Sequence, residues 1–155
     1  MQQKHISYEK ALKKAMLLCS KSEKCKSDIR KKLYDWKAKK SEHNKIIEEL
    51  EKMKFIDEQR YTRFYVRDKF KLNKWGKIKI RAMLFEKQIS EKLIEGTLIE
   101  ISMADYIKTL NDIIKQKNKS LKEEDRYKRK NKILQFATGR GFELSLILEI
   151  LEKEN

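Results

Sequence analysis

The sequence predicts an all-α protein, an elongated array of three tandem three-helix repeats. Three observations point there. The 155 residues contain no proline and only 4 glycines, so turn-forming breakers are too scarce for a β fold. Apolar residues, 39% of the chain, fall in stripes at steps of three and four. Anchor positions also recur: Trp36, Leu84 and Ala137 each precede an Ile-x-x-x-Leu pair, at Ile46/Leu50, Ile94/Leu98 and Ile147/Leu151, with intervals of 48 and 53 residues. Each unit of that kind has a small core and stacks on its neighbour, leaving one long surface. The expected units are 8–56, 57–101 and 102–155.

Element by element, Tyr8–Cys19 is amphipathic through Ala11, Leu12, Ala15, Met16 and Cys19. Ser22 is a candidate cap for a second helix reaching Ala38, with Ile29, Leu33 and Trp36 inward; Ser41 is one for a third, with Ile46, Ile47, Leu50 and Met53 inward. Asp57 can cap the fourth helix, which carries Tyr61, Phe64, Tyr65 and Leu72 on one side and Arg60, Arg63, Arg67, Lys71 and Lys74 on another. Trp75-Gly76 interrupts the pattern, with the glycine available for a positive φ. A fifth helix starts at Lys77 and Ser90 caps a sixth. Ser102 and Asp105 open a helix bearing Tyr106, Ile107, Leu110, Ile113 and Ile114. Ser120-x-x-Glu123 has capping-box spacing and is expected to open a strongly basic helix ending near Gly139–Gly141. The last helix runs from about Phe142, with Leu144, Ile147, Leu148 and Leu151 inward. Lys39, Lys87 and Arg140 precede the final helix of each unit, where a cation can meet helix carbonyls.

Composition narrows the function. The formal net charge is +15, which fits a polyanionic partner or a lysine-solvated surface. No apolar run is long enough for a bilayer, and the first residues lack a signal core, so a cytoplasmic protein is expected. Cys19 and Cys25 are expected to be reduced; with His5 and His43 they match no zinc spacing. No phosphate loop, dinucleotide fingerprint or H-E-x-x-H is present, and Glu48-Glu49 and Glu123-Glu124-Asp125 are adjacent pairs that a helix sends in different directions. No catalytic residue, cofactor or metal ligand is assigned. The aromatics Tyr61 and Tyr65 fit a core better than a base-stacking platform. Trp75 either packs between units or faces a partner.

The basic clusters are the candidate contact residues: Arg60, Arg63, Arg67, Lys71 and Lys74; Lys77, Lys79 and Arg81; Arg126, Lys128, Arg129, Lys130 and Lys132; and Arg140.

Three pieces carry a resemblance: F-I-D-E-Q-R-Y at 55–61, W-G-K-I-K-I-R-x-x-L-x-x-K-Q-I at 75–89, and R-G-F at 140–142. In order and spacing, over roughly residues 8–151, the chain resembles the RecX family of regulators of the RecA recombinase. It departs from the family at Lys54 and Gln88, which stand where glycines are usual. The marked positions it keeps are Asp57, Arg60, Tyr61, Trp75, Gly76, Lys77, Arg81, Lys87, Arg140, Gly141 and Phe142. The resemblance implies an elongated helical monomer that binds the groove of RecA filaments on DNA, inhibits recombinase and ATPase activity, and is not itself an enzyme. Single- and double-stranded DNA are further partners to be tested. A DNA-binding protein acting without RecA, and an enzyme whose site is assembled from distant residues, remain the alternatives.

Overall fold

The computed structural model describes residues 4–154. Among them are nine α-helices and no strand: α1 (Tyr8–Lys21), α2 (Lys26–Asp35), α3 (His43–Lys52), α4 (Glu58–Lys71), α5 (Lys77–Glu86), α6 (Glu91–Leu98), α7 (Met103–Ser120), α8 (Arg126–Gly139) and α9 (Leu144–Lys153). The chain divides into two compact units. The first runs to Phe64 and takes in Lys87–Ile89; the second comprises Tyr65–Glu86 and the chain from Ser90 onward.

The first unit closes on Ala11 and Ala15 of α1, Ile29 and Leu33 of α2, and Ile46, Ile47 and Leu50 of α3, all buried. The second has Ile80 and Leu84 of α5, Ile94 and Leu98 of α6, Tyr106, Leu110, Ile113 and Ile114 of α7, and Ile133, Ala137, Phe142 and Ile147 beyond. Each group follows helical spacing, and burying each of the Leu, Ile and Phe side chains contributes about 1.5–3 kcal/mol.

Caps explain most helix starts. Ser7, Ser90 and Ser102 each accept from the backbone N–H three residues on, and Asp57 accepts from Arg60 N at 3.0 Å. Three expected caps are otherwise employed. Ser22 terminates α1, its N–H donating to Leu18 O, and α2 opens at Cys25, whose N–H donates to the Asp28 carboxylate at 3.2 Å. Ser41 lies inside a short 3-10 turn, Lys40–Glu42, and α3 starts after Glu42. Ser120 ends α7 by donating to Lys117 O, and Asp125 opens the basic helix by accepting from Lys128 N at 2.9 Å. The stretch 121–125 is therefore a linker and not a first turn.

Helix ends set the repeat phase. After α2, α3 and α8 the chain turns through a left-handed residue, Lys37, Lys54 or Gly141, with φ of 62°, 64° and 96°. In each case the next N–H reaches back six residues' span, Ala38 to Leu33 O, Phe55 to Leu50 O and Phe142 to Ala137 O. Gln88 repeats the conformation after α5 with φ of 63°. The position equivalent to Leu84 and Ala137, four before the left-handed residue, is thus Leu33 and not Trp36. The 3-10 turn lengthens the connection to α3 and shifts the count by three. Trp36 is accordingly half-buried, with Lys14 Nζ 4.7 Å from its ring, and Lys39 does not correspond to Lys87 and Arg140.

Other inward assignments change as well. Met53 and Leu144, expected inward, are exposed; on α4 the side read from spacing splits, Tyr61 being buried with Thr62, Val66 and Phe70 while Phe64 and Leu72 are exposed. Gly76 has no positive φ; the left-handed residue there is Lys74, at 57°. A residue with a Cβ pays about 1–2 kcal/mol to enter the left-handed region, a cost that glycine does not carry. Gln88→Gly and Lys54→Gly should therefore each raise stability by about 0.5–1 kcal/mol after the added freedom of the unfolded chain is subtracted, measured as a shift in urea midpoint at unchanged m value.

Candidate contact surface

The expected bases separate into two groups. The first group is tied into the fold. Arg60 donates to Glu23 Oε1 at 2.7 Å and to the carbonyls of Lys54 and Phe55, clamping the left-handed turn after α3. Arg81 forks onto both carboxylate oxygens of Glu95, at 2.5 and 3.2 Å; this hydrogen-bonded pairing holds Glu95 below the usual carboxylate range and raises Arg81 further. Arg129 donates to the carbonyls of Asn118, Leu121 and Glu123 and to Asn118 Oδ1, fixing the linker between α7 and α8. Arg140 donates to Asn73 O at 2.9 Å and lies over the Phe136 ring. Lys77 and Lys79 are half-buried, their ammonium groups 5.0 Å and 4.3 Å from the Tyr106 and Trp75 ring centroids.

The second group faces solvent: Arg63, Arg67, Lys71 and Lys74 on and just after α4, and Arg126, Lys128, Lys130 and Lys132 on α8. Lys132 also pairs with Glu123 at 3.4 Å. Phe64, 51% exposed, lies at helical spacing among Arg60, Arg63, Arg67 and Lys71. Spacing puts Phe64 on one side of the helix with Tyr61, which is buried; apolar periodicity cannot tell which part of such a side meets the protein.

A second missed feature is α5. Ile80 and Leu84 are buried on one side, whereas Ile78, Ala82 and Phe85, spaced four and three apart, are exposed on the other, Phe85 by 75%. A helix apolar on two sides, one of them exposed, has one face with no partner inside the unit. The signal was available in K-I-K-I-R-A-M-L-F-E, whose apolar residues do not confine themselves to one stripe.

Trp75 is half-buried between the Lys69 and Lys79 ammonium groups, 4.9 and 4.3 Å from its ring centroid. Next to it, two backbones meet. Gly76 N–H donates to Arg140 O at 2.7 Å and Ile78 N–H to Gly141 O at 3.0 Å. A Cβ on Gly76 would stand 2.3 Å from the Gly141 carbonyl, and one on Gly141 2.4 Å from Lys79 Cβ. Beneath this junction Tyr106, 1% exposed, accepts from Lys77 N at 2.9 Å and donates to Glu143 Oε1 at 2.5 Å. Burial, with the Glu143 bond, pushes its phenol above the ordinary tyrosine value, so it stays a donor.

In the first unit Lys87 donates to Asp28 at 2.9 Å. Burial alone would raise Asp28, but Lys87 and the Cys25 N–H outweigh it and leave the carboxyl below its ordinary value. Lys87 is thus a tertiary tie to the cap of α2. Cys25 is buried and Cys19 half-buried, both as free thiols, and burial pushes both upward, away from reactive thiolate. Among the described residues no group of three or more His, Cys, Asp or Glu could hold a metal ion, and no helix is long and apolar enough to cross a membrane.

The models of the second and third three-helix domains of RecX match residues 57–98 and 104–151. The chain is 30% identical over 151 residues to the regulatory protein RecX of Clostridium acetobutylicum, covering 95% of this chain and 70% of that one. It is 31% identical over 147 residues to that of Chlorobium phaeobacteroides, covering 94% and 93%. The chain belongs to the RecX family. Two solved structures share its fold: a regulatory protein RecX, TM-score 0.87 at 23% identity over 94% of this chain and 73% of that one, and RecX from Lactobacillus salivarius, TM-score 0.82 at 20% identity over 94% and 95%. RecX proteins are regulatory proteins, which places this chain in the setting of DNA repair and recombination.

Proposed function

We propose that this RecX-family chain binds the groove of RecA–DNA filaments and inhibits their recombinase and ATPase activity, without catalysis of its own. The observation that carries the reading is the pairing of two kinds of exposed surface. The bases Arg63, Arg67, Lys71 and Lys74 supply a charge term toward phosphates or acidic side chains. The exposed apolar face of α5, Ile78, Ala82 and Phe85, supplies what a phosphate backbone has no use for and a protein surface does. A nucleoprotein filament offers both. In this reading the chain acts as three repeats, 8–56, 57–101 and 102–155, and works as a cytoplasmic monomer. It bridges neighbouring protomers and holds them against the rearrangement that ATP turnover needs. Arg60, Arg81, Arg129 and Arg140 maintain the scaffold, and the solvent-facing bases make contact.

The test is equilibrium binding to recombinase filaments and to the same single-stranded DNA without recombinase, at matched salt. Affinity for the filament should exceed that for bare DNA by at least about tenfold, since protein contacts add to the charge term. Equal affinities with equal salt slopes would favour a DNA-binding protein acting without RecA.

A further inference from the structure

A groove of about 300 Å³ lies among α7, α8 and α9 in the second unit. Its apolar lining is Ile133, which is buried, and Leu151, half-buried. Tyr127 forms a wall and is 74% exposed. Arg126 and Lys130 add cations to the rim, and Glu154 an acceptor. We propose that this groove takes one nucleotide of a single-stranded nucleic acid, the Tyr127 ring stacking on an unpaired base while Lys130 and Arg126 meet the flanking phosphates.

Three features favour this occupant. First, cations are concentrated at the start of α8. Arg126, Lys128, Arg129 and Lys130 fall within its first five residues, and the helix contains no acidic residue. Carboxylates of the preceding linker are engaged locally: Asp125 accepts from Lys128 N and Glu123 pairs with Lys132. Second, an exposed tyrosine among cations matches the aromatic-and-basic pattern that holds unpaired bases, and a duplex offers no open base face to it. Third, the groove is pre-formed on one side. Arg129 is pinned to the α7–α8 linker through the carbonyls of Asn118, Leu121 and Glu123, which fixes the turn of α8 that presents Tyr127 and Lys130. The volume is at the small end for ligand sites, enough for one base and not for a duplex segment. Glu154 can accept from an N–H on the edge of a base, such as N3–H of thymine.

The test of this site needs no recombinase, so its failure is distinguishable from failure of the filament reading. The full chain is titrated into a labelled oligothymidylate of about twelve nucleotides, and into a duplex of equal length, with anisotropy as the readout. Tyr127→Ala should weaken single-strand binding by about 5–100-fold, the loss expected for one stacked base. Tyr127→Phe, which keeps the ring, should bind as the wild type does. Lys130→Glu should weaken single-strand binding and flatten its salt dependence. Duplex affinity should be unchanged by Tyr127→Ala. Since Tyr127 is exposed, far-UV circular dichroism of the variants should match the parent. Wild-type affinity of Tyr127→Ala for the single strand, or an equal loss on duplex, would overturn the proposal. So would displacement of the oligonucleotide by micromolar thymidine monophosphate, which would assign the groove to a free nucleotide.

Discussion

Gly141→Ala should destabilise the chain by about 2–5 kcal/mol, the sum of about 1–2 for a side chain in the left-handed region and about 1–3 for displaced neighbours. Gly141 has φ of 96°, and its added Cβ would meet Lys79 Cβ at 2.4 Å and Lys79 N at 2.6 Å. Those atoms belong to the first turn of α5 and cannot retreat without breaking the hydrogen bonds Gly76 N to Arg140 O and Ile78 N to Gly141 O. Gly76→Ala should be comparably severe for a different reason. Its backbone is ordinary, but its Cβ would lie 2.3 Å from the Gly141 carbonyl carbon and oxygen. Gly96→Ala is the control: nothing lies within 4 Å of its added Cβ, and in the middle of α6 alanine should stabilise by about 0.5–1 kcal/mol. Urea unfolding followed by far-UV circular dichroism distinguishes the three. A Gly141→Ala midpoint within error of the parent would mean that the two backbones do not meet as described.

The same junction shows what was legible in the sequence. R-G-F at 140–142 and W-G at 75–76 stand out as pieces of a family pattern, and the glycines at 139–141 mark the end of the basic helix. The close approach of Gly76 to Gly141 could not be read, because it joins positions 65 residues apart (141 − 76). Caps follow the same division. Asp57, Ser90 and Ser102 act on the next turn of their own chain, so their residue types sufficed. At α2 the choice between Ser22 and Cys25 is supported by Lys87, which holds the Asp28 carboxylate from 59 residues away. The all-α class was legible because proline and glycine are rare and periodicity is strong. The phase of the first repeat was not, because a 3-10 turn inserts residues without leaving a breaker.

For the candidate surface, residue type gave the bases but not their employment. Arg60, Arg81 and Arg140 find their partners 37, 14 and 67 residues away. A charge count over the sequence therefore overstates the number of cations available to a partner. It also misses Phe64, Ile78 and Phe85, apolar side chains whose exposure depends on which helix face the rest of the unit covers.

Arg67→Glu with Lys71→Glu should leave the fold intact and weaken filament binding by roughly 100-fold or more at low salt. Both residues are exposed, one helical turn apart on α4, and neither belongs to the buried set Tyr61, Val66 and Phe70. Surface changes of this kind move stability by about 0.5 kcal/mol or less each. Binding is affected more because each reversal removes one neutralised anion and adds one repulsion. If the four bases Arg63, Arg67, Lys71 and Lys74 neutralise about four anionic groups, the log–log salt slope of the parent is about −3 to −4, and each lost contact flattens it by roughly one. The double variant should therefore approach parental affinity as salt rises, with a slope about two shallower. Phe85→Ser provides the contrast. It removes an apolar contact from α5, so filament affinity should fall at every salt concentration while the slope stays near the parental value. Parental filament binding by the Arg67/Lys71 double variant would remove the α4 bases from the interface. A slope unchanged by it, alongside weaker binding, would mean that those bases act on the fold and not on the partner.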